Sequence, residues 1–74
     1  MNTYECDTPL SQDVLMERIG AHVQDVRHNG VYYIITTPRA VSYPDMLRLL
    51  MNADVPFTHF RDIGRKAMGL FEQD

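Results

Sequence analysis

Between Val31 and Thr37 the chain reads Val-Tyr-Tyr-Ile-Ile-Thr-Thr, seven residues that are all β-branched or aromatic. That composition suits a half-buried pleated strand. Asn29-Gly30 stands before it, and the segment His22 to His28 lies on the other side of that dipeptide. Asn-Gly favours the two positive φ angles of a type I′ turn, the hairpin loop whose twist matches its strands. The spacing therefore predicts a hairpin with a two-residue loop. His28 then faces Val31, Val26 faces Tyr33, and Gln24 faces Ile35.

The polar and apolar positions on either side change period. Leu10, Val14, Leu15 and Ile19 recur at helical spacing behind Thr8-Pro9, which reads as an N-cap followed by proline in the first turn, and Gly20 is a natural stop. Ser42-Tyr43-Pro44-Asp45 resembles a capping box with aspartate in place of glutamate. Met46, Leu47, Leu49, Leu50 and Met51 give the following helix a broad apolar face, ending near Asn52. Thr3 to Asp7 reads as a first strand with Tyr4 and Cys6 on one side. Val55 to Ile63 reads as a last strand with Pro56 near its start, and Ala67 to Phe71 as a short terminal helix.

Strand, helix, strand, strand, helix, strand is the order of the split βαβ, ferredoxin-like arrangement, βαββαβ. The expectation is one α+β domain over residues 1–74. A four-stranded antiparallel sheet carries two helices on one face, and a short C-terminal helix follows. The other face is left to solvent or to a partner.

Composition narrows the class. Seventy-four residues bury only about 60% of their unfolded surface, so the core must draw on nearly every element. Hydrophobic residues make up 45% and charged residues 23%, the balance of a globule. The longest run without a formal charge, His28 to Pro38, falls short of the roughly 20 residues that cross a bilayer. Met1 to Asp13 carries acids and no apolar run of the signal-peptide kind. The expectation is a soluble, cytoplasmic protein. Seven basic against ten acidic residues, a formal charge of -3, argue against general binding to nucleic-acid backbones.

Candidate chemistry is sparse. One cysteine excludes an internal disulfide and any multi-cysteine zinc site within the chain. His22 and His28 on one strand would stand ~20 Å apart, too far to share an ion. His59 would need carboxylates to complete a metal site. Asp25 and Asp62 could approach across the sheet, and a Cys6–His59 pair would make an activated thiolate. A cysteine on a strand is ordinarily a small core residue, however, and acids there face water. No nucleophile elbow, phosphate loop or zinc-protease motif is present. The reading is a non-enzyme with no cofactor and no metal.

Tyr32 and Tyr33 must point to opposite faces, so one of them leaves the core side. If it is Tyr32, Ile34 accompanies it, with Arg27 and Asp25 on the neighbouring strand. Arg27, Tyr32, Tyr33, Ile34 and Arg61 are therefore the candidate partner-binding residues. Tyrosine and arginine are enriched where proteins meet. Stacking of RNA bases is the alternative, opposed by the acidic balance and by the missing RRM signature. Arg61, Arg65 and Lys66, interrupted by Asp62, form the last basic cluster, too small to hold nucleic acid alone.

From Leu15 to Phe71 the run resembles the small C-terminal accessory domain that follows the ATPase in some ABC transporters. The likeness lies in Val26-Arg27-His28-Asn29-Gly30-Val31, similar to that family's hairpin, and in Met46-Leu47-Arg48-Leu49-Leu50-Met51-Asn52, similar to its leucine-rich helix. Ala53-Asp54-Val55 is similar to its closing turn, and Phe60 to Ile63 with a short end helix completes it. Asp54 stands where the family has a turn glycine. The resemblance implies a ferredoxin-like fold and a regulatory role beside an ATPase.

The function these residues support first is a small protein-binding module that acts by occupying a partner's surface. One form is a phage or mobile-element inhibitor resembling anti-CRISPR proteins, which are short and mildly acidic. The alternatives are an ACT-like or ABC-accessory regulatory domain that forms a homodimer or binds a small ligand, and single-stranded nucleic-acid binding.

Overall fold

Alternation along a strand sends successive side chains to opposite sides of a sheet, and this chain uses it to sort its apolar residues. The computed structural model describes residues 1–64. It runs β1 (Asn2–Asp7), α1 (Gln12–Ile19), a 3₁₀ turn (Gly20–His22), β2 (Asp25–His28), β3 (Tyr33–Thr37), α2 (Tyr43–Asn52) and β4 (His59–Asp62). The strands form one antiparallel sheet in the order β2-β3-β1-β4. The chain is thus α+β, a four-stranded antiparallel sheet with two helices. The expected helix at Ala67 to Phe71 lies outside the described residues.

Tyr4 and Cys6 of β1, Val26 of β2, and Tyr33 and Ile35 of β3 are buried. They share one core with Leu15 and Ile19 of α1, Met46 and Leu50 of α2, and Val55. Both helices therefore cover the same side of the sheet. The two buried tyrosines send their hydroxyls to loop carbonyls: Tyr4 donates to Val41 O at 3.1 Å and Tyr33 to Leu10 O at 2.8 Å. This is how a buried phenol avoids the cost of an unmet donor. Phe60 of β4 stacks on Tyr4 with centroids 5.2 Å apart, and Tyr43 and Phe57 pack beside it.

Local chemistry explains the helix ends. The α2 cap is the capping box its sequence predicts: Ser42 Oγ accepts from the Asp45 N–H at 3.3 Å, and the Ser42 N–H donates to Asp45 Oδ2 at 3.1 Å. That backbone bond, helped by Arg48, holds the Asp45 carboxyl below its usual range. Asp54, beyond the end of α2, turns the chain at φ 57, the left-handed region that glycine occupies most easily. The cap of α1 differs from expectation. Ser11, not Thr8, is the N-cap and accepts from the Val14 N–H. Thr8 instead accepts from the Leu10 N–H in a turn ahead of the helix, so the stronger-looking Thr8-Pro9 signal opens a turn rather than a helix.

The hairpin also departs from expectation. The pairs are Val26 with Ile35 and His28 with Tyr33, not Val26 with Tyr33 and His28 with Val31. The loop holds four residues because the Asn29 side chain accepts from the N–H groups of both Val31 and Tyr32, at 2.9 and 2.7 Å. Asn29 thereby forms a local side-chain turn, and within the loop Gly30 takes a positive φ, of 98°, while Asn29 does not. A type I′ turn needs two such angles. The slip is two residues, so every side chain keeps its face.

The last strand is shorter than Val55 to Ile63. Val55 turns into the core, Pro56 has no N–H to offer, and pairing is confined to His59–Asp62. No helix among the described residues is long and apolar enough to cross a membrane.

Candidate protein-binding face

The strand positions that alternate with the core define the second face. Three rows cross it. The central row is Arg27 on β2, Ile34 on β3, Glu5 on β1 and Arg61 on β4, each directly beside the next. Asp25, Thr36 and Thr3 form the row on one side. Asp7 and His59 form the row on the other, with Tyr32 of the hairpin loop at its end. Both described helices pack on the opposite side, so neither covers these rows.

Glu5 is the hub of the β4 half. His59 Nε2 and Arg61 Nη2 lie 2.9 and 3.1 Å from the same Oε1 atom. The two partners leave the Glu5 side chain only 12% exposed. Tyr32 stacks flat on the His59 ring, with centroids 4.6 Å apart and planes 19° from parallel. The loop is thus pinned across β1 to the far edge strand. On the β2 half, Arg27 Nε meets Asp25 Oδ2 at 2.7 Å while its side chain stays 80% exposed. Asp25 and Arg27 border a shallow depression of about 460 Å³ whose floor includes Ile34 and Thr36.

Of the five candidate residues, Arg27, Tyr32, Ile34 and Arg61 come together on this face. Tyr33 does not. It is buried among the core residues and its hydroxyl is committed to Leu10 O, so Tyr32 is the tyrosine that leaves the core side. Sequence reading missed Glu5, whose side chain ties β1 to β4. The signal was the polar alternation Thr3, Glu5, Asp7 along a strand that the fold makes central.

Other pairings considered from sequence separate in space. Cys6 faces the core and His59 the opposite side, since Cys6 pairs with Phe60 and Asp7 with His59. Burial, then the nearby Asp7 charge, pushes the Cys6 thiol up to about 11, the reverse of thiolate activation. Asp25 and Asp62 sit on opposite edge strands. His22 lies in the 3₁₀ turn rather than on β2 with His28. Among the described residues no three His, Cys, Asp or Glu side chains are grouped to hold a metal ion.

Both sheet edges are partly covered by the first residue of a helix. Gln12 of α1 donates through Nε2 to the Val26 carbonyl of β2 at 2.9 Å. Tyr43 of α2 donates its hydroxyl to the Phe60 carbonyl of β4 at 3.4 Å. An edge carbonyl held this way is withdrawn from pairing with a foreign strand. Comparison of the chain with known family models, with curated proteins and with solved structures finds no match.

Proposed function

We propose that this chain is a ferredoxin-like, non-enzymatic binding module that occupies a protein surface with its open sheet face. The order β2-β3-β1-β4, with each helix joining two strands that sit one strand apart, supports the ferredoxin-like reading. The observation that carries the function is the central row: two arginines, more than half exposed, flank Ile34 and Glu5 on a preformed sheet. Such a surface offers directional donors around an apolar centre, the anatomy of a protein contact. The covered edges favour docking by the face over strand addition.

Two features weigh against nucleic acid. Glu5, Asp7 and Asp25 share the face with the arginines, which opposes a phosphate backbone. His59 already occupies one side of the Tyr32 ring, where a base would stack. A small inhibitor of the anti-CRISPR kind is one form this module takes. Replacing Arg27 and Tyr32 together by alanine abolishes partner capture and leaves the circular dichroism spectrum unchanged. Capture at undiminished strength would rule out this face.

A second reading is the ABC-type accessory domain: Asp54, which stands where that family has a turn glycine, takes φ 57, a conformation glycine adopts most easily. That reading predicts association with an ATPase subunit and an Asp54→Gly variant that folds at least as stably.

A further inference from the structure

We infer that the occupant of the open face is a second copy of this chain, docked about a twofold axis that runs along β3 through Ile34. This rests on the reading of that face as a docking surface and adds the identity of the partner. The argument is charge complementarity across a face that bears both signs.

A twofold axis lying in the interface and parallel to the strands reverses the order of strands without moving residues along them. With the axis on β3, that strand lies over itself and β2 lies over β1 of the second copy. Ile34 then meets Ile34, and Thr36 meets Thr36. Arg27 meets Glu5 of the second copy, twice by symmetry, and Asp25 meets Thr3. Three other placements bring like charges together, and an axis across the strands between the Asp25 and Arg27 rows pairs those two residues but sets Ile34 on Thr36. An axis between β3 and β1 sets Arg27 against Arg61, and one on β1 sets Glu5 against Glu5. An axis across the strands through the central row sets each arginine of that row against its own copy. Only the axis on β3 puts an apolar pair at the centre with opposite charges on both sides.

Packed sheets stand ~10 Å apart, so Arg27, 80% exposed, does the reaching toward Glu5, whose side chain is 12% exposed. Asp25 holds Arg27 by Nε, which leaves the terminal guanidinium nitrogens as donors. Both contacts to Glu5 from its own chain fall on Oε1, so Oε2 remains to accept. With the axis on β3 three strands of each copy overlap, at ~4.8 Å each, and β4 lies outside the contact, so the interface falls below the ~800 Å² per partner of a standard one. The dimer is therefore weak and concentration-dependent.

Sedimentation equilibrium from ~1 µM to ~1 mM, a span suited to an interface of this size, tests the inference. The wild-type chain shifts reversibly to twice its mass. Arg27→Glu alone and Glu5→Arg alone each place like charges in both pairs and raise the dimer Kd about tenfold or more. Mixed in equal amounts they recover the double mass. In that mixed dimer one contact is the native pair of Arg27 with Glu5, and the other is the same pair with its charges exchanged. Because Glu5 also holds His59 and Arg61, Ile34→Lys is the second variant. It sits on the open face and loses the dimer with its circular dichroism spectrum intact. A wild-type chain that stays monomeric throughout, or an Arg27→Glu or Ile34→Lys chain that dimerises like the wild type, overturns the inference. If the wild type is monomeric and the Arg27/Tyr32 double-alanine variant still loses a different protein partner, the docking face stands and only its occupant is wrong. If that capture is also unchanged, both readings fall.

Discussion

Ile34 and Ile35 are the same amino acid, adjacent in the chain, and they do different jobs. Ile35 is 0% exposed in the core to which both helices contribute. Ile34 lies on the open face between Arg27 and Glu5. The difference is set by the period of the strand alone, and it repeats at Tyr33 and Tyr32. On the covered face the tyrosine hydroxyls are satisfied within the chain, and the residues are there to exclude water. On the open face the polar groups pair laterally, Arg27 with Asp25 and Glu5 with His59 and Arg61, and keep capacity to spare. One side of the sheet stabilises the fold and the other presents it.

The sharpest way to break this comparison is the isoleucine pair. Ile35→Ala removes a fully buried side chain and costs about 2–5 kcal/mol in urea denaturation, a large share of the stability of so small a domain. Ile34→Ala costs below about 1 kcal/mol at low protein concentration, in line with surface substitutions. Equal losses would mean that the open face is core. The tyrosine pair sharpens the same point at smaller scale. Tyr33→Phe strands the Leu10 carbonyl and costs about 1 kcal/mol, while Tyr32→Phe leaves the midpoint within error.

The covered face also sets a pH dependence. The Cys6 thiol is held protonated to about 11 in the folded chain, against 9.0 for a free thiol. The folded state therefore keeps a proton that the unfolded chain releases. This contribution to stability is full below pH 9, falls as pH rises from 9 to 11, and then levels. Cys6→Ala flattens that part of the curve, and the wild-type thiol reacts with a disulfide reagent only after denaturation.

How much of this was legible in the sequence follows from the range of each interaction. Faces were legible, because alternation is local. Tyr4 and Cys6 share a side in the sequence and in the fold, and the hairpin keeps its faces even though its register slips by two. The slip itself comes from one amide side chain: Asn29 bonds forward to Val31 and Tyr32 instead of adopting the backbone angle that Asn-Gly suggests. The α1 cap was misplaced for a similar reason, two hydroxyls three residues apart competing for one role. The hub at Glu5 was not legible. Its partners His59 and Arg61 lie more than fifty residues away, and only the order of strands brings them together.

That order has a consequence for how the chain is made. β1 is the first of the four strands to be synthesised, yet it lies in the interior of the sheet with β3 on one side and β4 on the other. No early fragment can close around it. This strand must wait, incompletely paired, until nearly all of the described chain has left the ribosome. Local hairpin and helix formation runs ahead, and the last four-residue strand completes the sheet in one late, long-range step.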